Sequence, residues 1–187
     1  MIYPIVGYGH PTLKKKSTPI DNKYPNLNQL IADMFETMYA ANGVGLAAPQ
    51  IDIPIRLVVI GFPQYDKKTD TYSDTMEEYV LINPEIIEYK GEKAYFNEGC
   101  LSVPGIHEDV IRHVGVVVKY QDIDFNEHIE EFTGMLAHAA QHEIDHLEGT
   151  VFVDRLSTIR KTLIRRKLND IIAGKVDVNY KMKRLKK

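Results

Sequence analysis

A chain of 187 residues with 44% hydrophobic residues can bury one sizeable core, which excludes a disordered polymer. A single cysteine, Cys100, excludes an intrachain disulfide. Residues 1–7 carry neither a charged lead nor a long apolar run, so neither a signal peptide nor a membrane span is expected, and the cytoplasm is the expected compartment. The net charge of −3 hides an uneven distribution: residues 154–187 hold 12 Lys and Arg against three Asp, whereas residues 1–153 hold 11 against 23 acidic residues. A basic end on an acidic body points to a polyanionic partner, RNA first, and weighs evenly against a solvated helix with a frayed end. Neither DNA nor a membrane is expected as a partner.

Asn26 precedes Leu27, Leu30, Ile31, Met34, Phe35, Met38 and Tyr39, a helical spacing that stops at Asn42-Gly43. The segment from Gly43 to Gln50 reads as a glycine-punctuated loop and Arg56 to Ile60 as a strand. Residues 61–78 are polar and read as an exposed loop or a long hairpin. Short strands are expected at Tyr79 to Ile82, Glu85 to Tyr89 and Lys93 to Phe96, then a clearer one from Val114 to Tyr120, paired with Glu127 to Phe132. A helix from about Thr133 to Leu147 places Met135, Leu136, Ala139, Ala140, Ile144 and Leu147 on its apolar face. Ser157 caps a last helix with Ile159, Leu163, Leu168, Ile171 and Ile172, stopped by Gly174. Strands in one block between helices predict an α+β fold, with mostly antiparallel, short-stranded sheets around the 133–147 helix. Residues 1–174 are expected to form a single domain, and 175–187 a basic, flexible tail.

Residues 141–146 read Gln-His-Glu-Ile-Asp-His. On a helix, positions i and i+4 share a face, so His142 and His146 can offer two imidazoles to one ion. Glu143, next to the first histidine, can reach a water molecule that the ion makes acidic, as in the His-Glu-x-x-His arrangement of metal-dependent hydrolases. A catalytic site needs a third protein ligand. The position six residues after His146 is Phe152 and no Glu follows Glu148, which removes the two common choices. Asp154 and Asp170 stay open but no pattern supports them. His138 lies one turn before His142, with its Cα about 12 Å from that of His146, and reads as a packed or hydrogen-bonded histidine. His10, His107, His113 and His128 read as ordinary surface. Cys100 is left, in Asn97-Glu98-Gly99-Cys100-Leu101-Ser102, and a thiolate with two imidazoles suits iron(II), zinc, nickel or cobalt.

Three segments in this order, Gly43-Val44-Gly45-Leu46-Ala47-Ala48-Pro49-Gln50, Glu98-Gly99-Cys100-Leu101-Ser102 and Gln141-His142-Glu143-Ile144-Asp145-His146, resemble the peptide deformylase family. The resemblance covers about residues 1–172. It implies an enzyme that removes the formyl group from the initiator methionine of nascent polypeptides, with Cys100, His142 and His146 as metal ligands and Fe2+ as the cellular ion. It further implies Glu143 as the general acid/base, with Gln50 and the Leu101 N–H stabilising the oxyanion. Gly45 and Gly99 match backbone that pairs with the extended substrate. Val44, Glu98, Met135 and Ala139 fall where the family forms its methionine pocket. The C-terminal helix resembles that of members that dock on the ribosome, which implies salt-sensitive ribosome binding lost on truncation after residue 156. The sequence departs from the family pattern at Asp52, where glycine is usual, at His107, and in the long 61–78 segment. Two other readings remain: a metallopeptidase, separable by internal peptide cleavage without formate release, and an RNA-binding module with a structural metal, for which a fourth protein ligand is missing.

Overall fold

The computed structural model describes residues 1–66 and 71–183. Strands β2 (Gly45–Ala47), β3 (Leu57–Asp66), β4 (Thr71–Glu98), β5 (Glu108–Gln121) and β6 (Glu127–Thr133) form one antiparallel sheet in chain order. Helix α1 (Leu27–Ala40) packs on one face of the sheet and α2 (Gly134–Leu147) on the other. The run Leu57-Val58-Val59-Ile60 has no polar alternation because β3 is covered on both sides. Leu57 and Val59 pack with Met34 and Met38 of α1, while Val58 and Ile60 pack with Ala140 and Ile144 of α2.

The three short strands expected between residues 79 and 96 are one long strand, β4. Its register slips between Ile82 and Glu85 and again between Lys90 and Lys93. Asn83 (φ 52°), beside Pro84, and Gly91 (φ 67°) bend the chain there without ending its pairing. The 61–78 segment is a hairpin: β3 and β4 stay paired out to Asp66 and Thr71, and its residues 67–70 lie outside the described set.

Helix α3 (Thr158–Ile172) begins where Ser157 Oγ accepts the Arg160 N–H at 3.3 Å, as its sequence predicts. Its buried face is Ile164, Leu168 and Ile171, which meet Val6, Leu13 and Phe152. Ile159 and Leu163, expected on that face, point to solvent. Two apolar stripes exist on this helix, and only the one that meets the third core cluster is buried. Residues 175–183, set apart by composition as a flexible tail, lie against the body. Strand β7 (Met182–Lys183) pairs in parallel with β1 (Ile5–Val6), and the Ile5 N–H reaches Lys181 O at 2.8 Å. Charge content marked this segment as solvated, but main-chain pairing with β1 and side-chain bonds from Tyr180 and Lys183 hold it, and composition reports neither. No helix among the described residues is long and apolar enough to cross a membrane.

Candidate active site

Alanines make α2 a close-packing helix, and Ala137, Ala140, Ile144 and Leu147 seat it on Val58, Leu81, Val116 and Val118 of the sheet. That seating buries the charged half of the helix as well: His142, Glu143, Asp145 and His146 are all inside. The ring centroids of His142 and His146 are 5.1 Å apart, as the i, i+4 spacing requires.

Cys100 arrives from the end of β4 through a tight turn closed by the Val103 N–H on Cys100 O at 2.9 Å. Its Sγ lies 3.3 Å from His146 Nε2, and one donor atom each from Cys100, His142 and His146 lie within 4.8 Å of one another. These residues fit a divalent ion. A half-buried thiol converges with two buried imidazoles, and Glu143 Oε2 is buried with no hydrogen-bond partner among the described residues. Asp154 and Asp170 are not part of the group.

Behind the histidines lies an ionic network that sequence reading missed. Glu98 is buried; its carboxylate accepts from Arg112 Nε at 2.7 Å and pairs with His142 Nδ1 at 2.8 Å, and His138 Nε2 lies 3.0 Å away. Arg112 donates a further bond to Asp145 Oδ2 at 2.6 Å. Burial by itself would raise the Glu98 pKa, but the neighbouring His138 imidazole and the hydrogen bonds from His142 and Arg112 hold it well below the usual carboxylate range. Holding His142 by Nδ1 leaves Nε2 free for an ion, the usual support for a ligating histidine. Glu98, expected in the methionine pocket, is therefore not on the cleft wall, because its carboxylate is turned inward to Arg112 and His142. The available signal was a charged residue at an inward position of β5, between buried Val110 and Val116.

Glu143 is buried, and burial is the main cause that pushes its pKa up to about 7. Gly45 is what admits it: a Cβ at Gly45 would lie 2.5 Å from Glu143 Oε1. Gln50 sits in the short 3-10 turn Ala48–Ile51 and is buried. Its Oε1 accepts the Ala47 N–H at 2.8 Å, which directs Nε2 toward Cys100 Sγ at 3.5 Å and Ser102 Oγ at 3.3 Å.

These groups floor a cleft of about 610 Å³ lined by Val44, Gly45, Gln50, Gly99, Cys100, Leu101, Met135, Ala139, His142 and Glu143. Its rim carries exposed apolar side chains, with Val44 48% and Met135 53% accessible. β2 is an edge strand, so its side facing the cleft has no strand partner. The wall also holds residues that were not named for it. His107, read as surface, covers Gly99 closely enough that a Cβ there would lie 2.7 Å from its Nε2. Residues 177–180 of the C-terminal segment form another part of the wall.

The polypeptide deformylase family profile matches residues 2–162. The chain belongs to the polypeptide deformylase family. It is 46% identical over 190 residues to the peptide deformylase of Christiangramia forsetii, covering 98% of this chain and 96% of that one. Among solved structures, a peptide deformylase from Legionella pneumophila superposes with a TM-score of 0.80 at 40% identity, covering 94% of this chain and 98% of the other. A class I type b peptide deformylase from Acinetobacter baumannii, determined with Met-Ala-Ser bound, superposes with a TM-score of 0.75 at 34% identity over 83% of this chain and 99% of its own. Members of the deformylase family are metal-dependent hydrolases that remove the formyl group from nascent peptides, and this is the activity of the chain.

Proposed function

We propose that Cys100, His142 and His146 hold one divalent ion, iron(II) in the cell, and that Glu143 moves the protons of formyl-methionine hydrolysis. The observation that carries this reading is the convergence of a thiol and two imidazoles within 4.8 Å, with a buried carboxylate beside them at the floor of an open cleft. Iron(II), zinc, nickel and cobalt all suit that ligand set, and the ion supplies the Lewis acidity that makes water reactive near neutral pH. Glu143 takes the proton of the attacking water and returns it to the leaving amine of methionine. The Gln50 amide and the Leu101 N–H donate to the oxygen that gains negative charge. The preset orientation of the Gln50 amide on the Ala47 N–H supports its part.

The substrate chain lies extended along the free edge of β2, its backbone paired at Gly45 and Gly99. The methionine side chain rests among Val44, Met135 and Ala139. Glu98 acts from behind, by orienting His142. The Met-Ala-Ser peptide bound to the Acinetobacter relative is the natural probe. The protein acts in the cytoplasm on formyl-methionyl chains as they emerge from the ribosome. The exposed cations of α3, Arg160, Lys161, Arg165, Arg166 and Lys167, support contact with ribosomal RNA. Removing everything after residue 156 would strip Ile164, Leu168 and Ile171 from the core, so that truncation does not isolate docking from folding.

Anaerobically purified protein is expected to carry stoichiometric iron and to release formate from formyl-Met-Ala-Ser without cutting the peptide internally. Internal cleavage without formate would return the metallopeptidase reading. Formate release by protein carrying no metal would remove the ligand assignment.

A further inference from the structure

The cleft has a wall that the three sequence motifs do not supply. Residues 177–180 line it, and the chain then runs on into β7, which pairs with β1. Two contacts tie this strap to the loops that carry the oxyanion donors. Tyr180 Oη donates to the carbonyl of Leu101 at 2.7 Å, from a ring packed against the core around α1. Lys183 Nζ pairs with Asp52 Oδ2 at 2.6 Å. Asp52 ends the 3-10 turn that holds Gln50, in the left-handed conformation (φ 66°). Its carboxylate also accepts from Thr12 Oγ1. A side chain there is strained relative to glycine, and what this aspartate gains for the strain is the strap's lysine and Thr12.

Resting on the deformylase reading of the cleft, we infer that the C-terminal strap is part of the catalytic apparatus, with Tyr180 as a positioning residue for the Leu101 main chain. The geometry is direct. The turn Cys100–Val103 is gripped from three sides: by the Tyr8 N–H on Ser102 O at 2.7 Å, by Gln50 Nε2 on Ser102 Oγ, and by Tyr180 on Leu101 O. The Leu101 carbonyl lies one Cα away from the Leu101 N–H, so fixing it limits rotation of the donor peptide. The lysine end restrains the turn of the second donor, Gln50. An oxyanion donor contributes through its preset direction, so a small loss of restraint falls on the transition state more than on bound substrate.

Tyr180→Phe removes the hydrogen bond and keeps the ring. The full-length, iron-loaded variant is expected to lose about three- to tenfold in kcat on formyl-Met-Ala-Ser, as for one hydrogen bond, with KM unchanged and metal content intact. Lys183→Met, at a half-exposed position outside the cleft, tests the other tie without depending on the folding of the first variant, and is expected to lower kcat by about twofold. Combining Tyr180→Phe with Gln50→Ala is expected to cost less than the product of the single losses, since both act on one oxyanion; a purely structural role predicts simple multiplication. Wild-type kcat in both single variants would overturn the inference, and so would a rise in KM at constant kcat, which would make the strap only a substrate wall. Wild-type protein that releases no formate would instead overturn the deformylase reading itself.

Discussion

Glu143 and Gln50 are proposed to carry different parts of the reaction, and their substitution separates them. Glu143→Ala removes the proposed proton carrier but none of the three proposed ligands. Formate release is expected to fall by about 10²- to 10⁴-fold while metal content by elemental analysis stays at the wild-type level. Gln50→Ala removes one proposed donor to the developing oxyanion. Its kcat is expected to drop by about 10²- to 10³-fold, with KM for formyl-Met-Ala-Ser changed far less; a change in KM alone would make Gln50 a loop anchor. Both residues were legible in the sequence because each sits in a short motif whose spacing is set by local geometry. Glu98 was legible as a residue but not as a role. Its neighbours Arg112, His138 and His142 come from a different strand and a helix, and no local spacing reports them.

At the scale of elements, β5 and α2 are joined by the Glu98–Arg112–Asp145 network. Arg112 and Glu98 are both nearly inaccessible, with side chains 3% and 1% exposed, so removing one partner leaves the other charged and without compensation. Arg112→Met is expected to destabilise the fold by about 3–5 kcal/mol, read as a lowered urea midpoint, and to weaken metal binding by loosening His142. A shift below about 1 kcal/mol would mean that water reaches the network. The helices followed their sequence signals: α1 begins after Asn26, α3 after Ser157, and His142 and His146 share one face of α2. Pairing lengths did not follow. Asn83-Pro84 and Gly91 read as strand ends, yet bulges let the ladder run through them, because β5 opposite supplies partners on both sides of each bend.

For the whole molecule, charge is the quantity that matters. The exposed cations of α3 face away from the core stripe, so Arg165, Arg166 and Lys167 can be reversed to Glu without touching Ile164 or Leu168. The triple variant is expected to keep formate release on a short peptide and to lose co-sedimentation with ribosomes. The proposed ribosome binding of the wild type is expected to fall as salt rises, with a slope set by the number of phosphates contacted. Equal sedimentation of both proteins at low salt would remove α3 as the docking element.

The sequence by itself determined the helix that carries His142, Glu143 and His146, the family, the chemistry, and the α+β class, because helical periodicity and motif spacing are properties of neighbours along the chain. Only the tertiary structure decided which apolar stripe of α3 is buried, why Glu98 turns inward, and that residues 177–180 close one side of the cleft. Those outcomes depend on contacts between residues far apart in the chain, such as Tyr180 with Leu101 and Lys183 with Asp52. Their energies appear only once the core has brought the partners together.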